Sequence, residues 1–79
     1  MKVKIYGRKQ GCKYCDQVKS ICEANGFDTE FIDIEEQGLG INELSDICGE
    51  SVRTVPQVFV DKKFISGGAT GFVKFLKGG

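Results

Sequence analysis

Two of the four cysteines in this 79-residue chain are separated by only two residues, in the segment Cys12-Lys13-Tyr14-Cys15. Cysteines at this spacing can alternate between two thiols and a disulfide, or they can supply two of the four ligands of a zinc ion. The chain has no histidine, so zinc would also need Cys22 and Cys48. Cys22 follows Cys15 by two helical turns, about 10 Å along a helix axis, which is too far to share one tetrahedral ion. The spacing therefore favours a redox pair and predicts no metal site.

The cysteine pair lies where a strand, a loop and a helix are predicted to follow one another. Residues 2–6 alternate polar and apolar side chains, as strands do, and glycines interrupt this pattern at residues 7 and 11. Apolar side chains then recur every three or four residues from 13 to 25, which predicts an amphipathic helix that ends at Asn25-Gly26. Cys12 is therefore expected at the beginning of this helix.

A cysteine at the beginning of a helix is chemically activated. The unpaired N–H groups of the first turn and the helix dipole stabilise its thiolate, and the cations of Arg8, Lys9 and Lys13 act in the same direction. We expect a lowered pKa for Cys12, which would then attack a substrate disulfide. Cys15, one turn further along, is expected to be more buried and to resolve the mixed disulfide.

The remaining pattern predicts an α/β fold in the order β-α-β-α-β-β-α. The first strand-helix-strand unit implies a right-handed parallel crossover, and a later hairpin adds antiparallel strands. We expect a mixed four-stranded sheet flanked by helices, formed as one domain by residues 1–79. Cys22 and Cys48 fit the apolar faces of their helices and are expected to be inert core thiols. The predicted strands are residues 2–6, 29–34, 55–60 and 64–65, and the predicted helices are residues 13–25, 41–48 and 69–76.

Composition and charge exclude several classes of protein. The chain is 41% hydrophobic with six phenylalanines, which is typical of a folded chain. Eleven basic and eleven acidic residues give zero net charge, so a general nucleic-acid binder is not expected. The apolar stretches are too short for a membrane span or a signal peptide. We therefore expect a soluble, cytoplasmic monomer.

The charges are unevenly distributed along the chain. Residues 1–19 contain six bases and one acid, residues 20–52 contain nine acids and no base, and residues 53–79 contain five bases and one acid. If the fold brings residues 8–13 close to residue 53, a positive site for a small anionic ligand would form on a neutral protein. A set of solvated surface faces is the simpler interpretation of the same pattern.

Two further segments could bind a ligand through their backbones. Pro56 is the only proline and stands at the start of an apolar strand. A cis bond before it would leave the N–H and C=O of Val55 free to pair with an extended ligand, although a plain strand start is the simpler interpretation. The segment Gly67-Gly68-Ala69-Thr70 is a glycine turn before a helix, where free N–H groups and the Thr70 hydroxyl could hold a carboxylate.

Taken together, these segments resemble the glutaredoxins, most of all the small dithiol members of bacteria and their phages, and the match runs over nearly the whole chain. The resemblance implies a thioredoxin fold, a cis peptide bond before Pro56, and glutathione as the reductant. It also implies that Cys12 attacks and Cys15 resolves. The segments that carry it are Val3-Lys4-Ile5-Tyr6, Lys9 three residues before Cys12, Cys12-Lys13-Tyr14-Cys15, Thr54-Val55-Pro56-Gln57-Val58-Phe59-Val60 and Gly67-Gly68-Ala69-Thr70.

The resemblance implies a glutathione site along the cis-proline loop. Val55 would pair with the backbone of the glutathione cysteine, Lys9 and Tyr14 would flank it, and Thr70 would help to hold the γ-glutamyl carboxylate. The expected substrates are disulfide-containing or glutathionylated proteins, and ribonucleotide reductase is a common client of such proteins. The full set of implied glutathione-binding residues is Lys9, Tyr14, Thr54, Val55, Pro56, Gly68, Ala69 and Thr70.

The chain departs from the family pattern at three places. Lys13 replaces the usual proline after the first cysteine, Gly71 replaces an acid that holds the γ-glutamyl ammonium, and Ser66 lengthens the turn before Gly67. Lys13 predicts a more acidic Cys12 and a shifted reduction potential. Two alternatives stay open: a disulfide reductase that is fed by a thioredoxin reductase, and a carrier of a glutathione-ligated [2Fe-2S] cluster held between two copies.

Overall fold

The computed structural model describes residues 1–78 and contains seven helices and strands in the predicted order. The strands are β1 (Lys2–Gly7), β2 (Asp28–Asp33), β3 (Gln57–Val60) and β4 (Lys63–Ile65), and the helices are α1 (Lys13–Ala24), α2 (Ile41–Cys48) and α3 (Gly68–Leu76). The strands form one mixed sheet in the order β2-β1-β3-β4. The predicted thioredoxin fold is therefore confirmed. The predicted domain boundary at Gly79 lies outside the described residues.

Strand β1 is the centre of the sheet and pairs on both sides. It runs parallel to β2, with Ile5 opposite Phe31, and antiparallel to β3, with Ile5 opposite Val58. Strand β4 completes the sheet as an antiparallel edge. The β3–β4 connection is a two-residue turn in which Asp61 and Lys62 both have positive φ, of 48° and 73°, as tight hairpins require.

The sheet separates two apolar clusters. The larger one lies under α1 and α3 and is built from alternating residues of β1 and β3 together with helix side chains, with Phe72 fully buried at its centre. The smaller one lies under α2 and contains Tyr6, Leu44, Cys48 and Val52. Since α1 and α3 cover one face and the short α2 covers the other, the loops at the carboxyl end of β1 stay accessible.

Seven element boundaries differ from the prediction by one or two residues, and three of them have a clear local reason. β3 begins at Gln57 and not at Val55, because proline has no N–H to donate to a sheet. β2 ends at Asp33, whose Oδ1 accepts the backbone N–H of Glu35 and so begins a turn. α1 ends at Ala24, where Asn25 follows as the cap.

Within residues 1–78, no helix is both long enough and apolar enough to cross a bilayer.

Candidate active site

The structure joins the two cysteines of the motif. Cys12 and Cys15 form a disulfide across 5.3 Å between their Cα atoms. Cys12 lies at the surface end of the pair with 7% of its surface exposed, whereas Cys15 is completely buried. Only Cys12 can therefore be approached from solvent.

Cys12 caps the first turn of α1. Its backbone is extended, and its Sγ accepts the backbone N–H of Cys15 at 3.2 Å. The sulfur thereby satisfies one of the N–H groups that every helix leaves unpaired at its beginning. Lys13 and Tyr14, the two residues between the cysteines, both point to solvent, and the Lys13 ammonium lies 5.8 Å from the centre of the Tyr14 ring. Charge and exposed aromatic surface thus lie next to the reactive sulfur.

Gly7, the last residue of β1, packs directly against the buried cysteine. A Cβ at this position would lie 2.7 Å from the Sγ of Cys15 and 3.1 Å from the Phe31 ring. The first distance is shorter than packed side chains allow and the second is shorter than most of their contacts, so the absence of a side chain at Gly7 leaves the space that Cys15 occupies. The sequence alone marks Gly7 only as the end of a strand pattern, and its position before the motif is the one signal available there.

The proline loop lies beside the Cys12 sulfur. The Val55–Pro56 peptide bond is cis, which confirms the expectation drawn from the resemblance. The carbonyl oxygen of Val55 is 4.0 Å from the Sγ of Cys12. Behind the loop, Gln57 is 4% exposed and its Nε2 donates to the carbonyl oxygen of Thr54 at 2.7 Å. This buried amide fixes the loop from inside and was not identified from the sequence.

The beginning of α3 approaches the same loop. Gly67 and Gly68 both have positive φ, of 98° and 59°, which favours glycine at both positions. A Cβ on Gly68 would lie 3.1 Å from the carbonyl oxygen of Pro56, so a larger residue would press on the loop. The glycine pair therefore brings the free N–H groups of α3 close to the proline loop.

A cleft of about 600 Å³ lies between these segments. It brings together seven of the eight residues that the resemblance assigns to glutathione: Tyr14, Thr54, Val55, Pro56, Gly68, Ala69 and Thr70. Tyr14 is 55% exposed and forms part of its wall. Arg53, which the charge pattern named as part of a possible anion site, also lines the cleft, as do Glu50 and Phe64, to which the sequence assigned no binding role.

Lys9, the eighth of these residues, does not line the cleft. Its Nζ forms an ion pair with Glu36 at 3.2 Å, with both side chains mostly in solvent. It borders a different groove, next to β2 and the following turn. An exposed ion pair of this kind contributes about 0–1 kcal/mol, so Lys9 can leave Glu36 at little energetic cost.

Gly71, where the resemblance implies an acid, has no room for a side chain. Gly71 lies in the first turns of α3 and packs against the backbone of Ser66, in the turn before Gly67. A Cβ at residue 71 would overlap the Ser66 carbonyl oxygen. No acidic side chain fits there unless this turn moves.

The other two cysteines do not line the cleft. Cys22 and Cys48 are free thiols buried in the two apolar clusters, as expected from their positions on the helices. Burial raises the pKa of both thiols, and the nearby carboxylates of Glu23 and Glu50, respectively, act in the same direction. Among residues 1–78, no three His, Cys, Asp or Glu side chains are grouped closely enough to hold a metal ion.

Comparison with known proteins gives a consistent family match. The glutaredoxin family model matches residues 3–65. The glutaredoxin of Haemophilus influenzae is 40% identical over 82 residues, covering 98% of this chain and 92% of the relative. The solved structure of reduced Escherichia coli glutaredoxin superposes with a TM-score of 0.82 at 36% identity, covering 99% of this chain and 95% of that one. The buckwheat glutaredoxin–glutathione complex shares the fold, with a TM-score of 0.79 at 24% identity over 96% of this chain and 68% of that one.

Proposed function

Because the chain belongs to the glutaredoxin family, whose members are thiol-disulfide oxidoreductases, we propose that it reduces protein disulfides and glutathione mixed disulfides with glutathione as the reductant. The observation that carries this proposal is the position of the Cys12 sulfur. It is bonded to a buried second sulfur, caps a helix, and lies beside a cleft that could hold a peptide-like thiol.

Cys12 is the proposed nucleophile. In the reduced protein its thiolate would keep the N–H of Cys15 as a hydrogen-bond donor and would gain the favourable field of the α1 N-terminus. The Lys13 ammonium adds a positive charge on the neighbouring residue. The thiolate attacks one sulfur of the substrate, which forms a mixed disulfide and releases the other sulfur as a thiolate.

Cys15 is the proposed resolving cysteine. It is completely buried and already within bonding distance of Cys12, so it can attack only the Cys12 sulfur of a mixed disulfide. That attack forms the Cys12–Cys15 disulfide and releases the second substrate thiolate. Two molecules of glutathione then restore the dithiol and leave as glutathione disulfide.

The cleft of about 600 Å³ is the proposed glutathione site. Val55 offers its backbone next to the reactive sulfur, Tyr14 provides an apolar wall, and Thr70 lies at the beginning of α3, where N–H groups are free to bind a carboxylate. Thr54, Pro56, Gly68 and Ala69 form the remaining surface. Arg53 and Glu50 place one positive and one negative charge on the lining, so the cleft is neutral overall and Arg53 is its one cation for a ligand carboxylate.

We assign Lys9 a weaker role, because its side chain must first leave Glu36 to reach a bound glutathione. We also propose that the protein acts as a monomer in the cytoplasm. Its free thiols Cys22 and Cys48 are compatible with a reducing compartment. Glutathionylated proteins and ribonucleotide reductase are the proposed clients.

The first test is the glutathione-coupled reduction of a small glutathione mixed disulfide. We expect turnover by the wild type, no turnover by Cys12→Ser, and turnover by Cys15→Ser through the route in which glutathione itself resolves the intermediate. Cys48→Ala is the matched control, since it removes a thiol that lies outside the cleft. Absence of glutathione-linked turnover in the wild type would contradict the proposal, and loss of activity in both Cys12→Ser and Cys15→Ser would show that the dithiol route is obligatory.

One observation favours a second reductant. Because a side chain at residue 71 would overlap the Ser66 carbonyl oxygen, the cleft has no acid at the position where the family holds the γ-glutamyl ammonium. Weaker glutathione binding would favour a disulfide reductase fed by a thioredoxin reductase. The rate of reduction of one protein disulfide should be measured with each reductant. Faster turnover with the thioredoxin reductase than with glutathione would support this alternative.

A further inference from the structure

A second groove lies on the other side of the proline loop from the glutathione cleft. It has a volume of about 430 Å³, in the range of ligand-binding clefts. Three residues line both spaces and form the boundary between them: Arg53, Thr54 and Val55. The groove is connected to the reactive atom through Val55, whose carbonyl oxygen lies 4.0 Å from the Cys12 sulfur.

Two arginines give the groove its charge. Arg8 follows β1 and Arg53 precedes the proline loop, and both are exposed. Within residues 1–78 the one ion pair is that of Lys9 with Glu36, so neither guanidinium is neutralised by a partner. Glu35 also lines the groove and leaves it with an excess of one positive charge. The arginine side can therefore accept a carboxylate.

The groove also has an apolar wall. Ile34 and Leu44 form part of it, and Ile41, the first residue of α2, stands at its rim with 53% of its surface exposed. A large aliphatic side chain that is half in solvent gains free energy when a ligand covers it. Charge and apolar surface are thus combined in a groove that shares only its Arg53–Val55 boundary with the proposed glutathione cleft.

We propose that this groove binds the polypeptide of the disulfide substrate and selects segments that carry an acidic and an aliphatic residue next to the reactive cysteine. The inference rests on the proposed disulfide reduction by Cys12 and Cys15, but not on glutathione as the reductant. The substrate carboxylate pairs with Arg8 or Arg53, and the aliphatic side chain covers Ile41. Glutathione then approaches from the opposite side of Val55.

The reaction that this groove serves is balanced without further components. The Cys12 thiolate forms a bond to one sulfur of the substrate as the substrate disulfide breaks, and the second substrate sulfur leaves as a thiolate. Cys15 then attacks Cys12 and releases the first substrate sulfur. Two electrons pass from the protein dithiol to the substrate, and the two released thiolates take up the protons that the dithiol lost.

The test uses cyclic peptides of equal length that are closed by one disulfide and differ only beside the cysteines. One carries Glu and Leu, one carries Lys and Leu, and one carries Glu and Ser. Fully reduced protein is mixed in excess with each peptide, so that a single turnover is followed without glutathione. For the wild type at low salt we expect the Glu peptide to react about fivefold to thirtyfold faster than the Lys peptide.

The variants distinguish an effect of the groove on substrate selection from an effect on the reactivity of Cys12. In the double variant Arg8→Gln, Arg53→Gln we expect the ratio of the Glu rate to the Lys rate to fall to about one. A ratio is used because any change in Cys12 reactivity affects both peptides equally. Lys19→Gln, which removes an exposed cation of α1 outside the groove, should keep the wild-type ratio.

The aliphatic preference has its own readout. Ile41→Ser should reduce the preference for the Leu peptide over the Ser peptide by about tenfold, and it is not expected to unfold the protein because the side chain is largely exposed. Equal rates for Glu and Lys peptides in the wild type, or a ratio that survives the double arginine change, would overturn the proposal. Selective single turnover without glutathione-linked turnover would leave the groove in place and reject the reductant.

Discussion

Replacing Gly7 by alanine is expected to make the Cys12–Cys15 disulfide easier to reduce. The added Cβ would lie 2.7 Å from the Cys15 sulfur, well inside normal contact distance. In the oxidised protein this sulfur is held by its bond to Cys12 and cannot move away. In the reduced protein the Cys15 side chain can rotate and relieve the contact. The substitution should therefore destabilise the oxidised form more than the reduced form.

The size of the effect follows from the cost of overpacking. An extra methyl group in a packed interior costs about 1–3 kcal/mol. If this cost falls entirely on the oxidised form, the reduction potential rises by about 20–65 mV, because 1.4 kcal/mol corresponds to about 30 mV for a two-electron couple. Relaxation around the Phe31 ring, which the Cβ also approaches at 3.1 Å, would act on both forms and would not change the potential.

The assay measures the same quantity in two ways. The protein is equilibrated with a series of glutathione redox buffers, quenched with acid, and alkylated with a mass tag to count reduced thiols. Urea unfolding of the oxidised and reduced forms gives a second value, since the difference between their losses of stability must equal the shift in potential. Agreement of the two values would identify the contact with Cys15 as the cause.

Gly26→Ala is the matched control for this substitution. Gly26 has a φ of 68°, and a Cβ added there would have no neighbouring atom within 4 Å, so alanine at this position meets backbone strain and no sulfur. We expect a loss of about 1–2 kcal/mol in both redox forms and an unchanged potential. A potential for Gly7→Ala that is unchanged or more negative than that of the wild type would refute the reasoning.

Three further predictions concern stability and use the oxidised protein. Burial raises the pKa of Cys22 and Cys48, so on raising the pH these thiols ionise in the unfolded protein before they ionise in the folded one. The free energy of unfolding should therefore fall as the pH rises above about 8.5. This fall should be smaller in the double variant Cys22→Ala, Cys48→Ala. An identical pH slope in the double variant would contradict the assignment. Ser45→Ala should cost about 1–3 kcal/mol in urea unfolding, because the Ser45 hydroxyl both donates to the carbonyl oxygen of Val52 and accepts its N–H; an unchanged midpoint would show that water replaces both bonds. Leu44→Ala should cost about 2–5 kcal/mol, since Leu44 is fully buried under α2, and a loss below about 1 kcal/mol would mean that α2 is not packed on the sheet as described.

Much of the fold was accessible from the sequence because each element carries a local signal. The period of the apolar residues identified β1 and α1, and Gly49 ended α2 at the predicted place with a left-handed φ of 77°. The residue at which a helix or strand ends depends on backbone hydrogen bonding, which a pattern of apolar residues does not reveal. The N–H that Pro56 lacks and the turn that Asp33 begins moved two strand boundaries.

The site was accessible only where residue type alone carries the chemistry. The two cysteines, the proline and the glycine pair each have an unusual backbone or sulfur chemistry, and the structure brings their segments together around one cleft. Gly7 and Gln57 were missed because their roles depend on what packs against them from other elements. The ion pair of Lys9 with Glu36 could not be foreseen for the same reason, since it joins residues 27 positions apart.

The residues of the candidate site come from two separate stretches of the chain, which the pairing of β1 with β3 brings together. Both redox cysteines belong to the amino-terminal β1-α1-β2 unit, whereas the proline loop and the beginning of α3 come from the carboxyl-terminal stretch. A chain emerging from the ribosome therefore carries its two reactive thiols well before the surface that directs them to substrate exists. The same division suits fragment complementation. A cut in the loop between β2 and α2 would give two fragments, each without a complete site. Activity would return only when the two fragments associate and β3 pairs with β1.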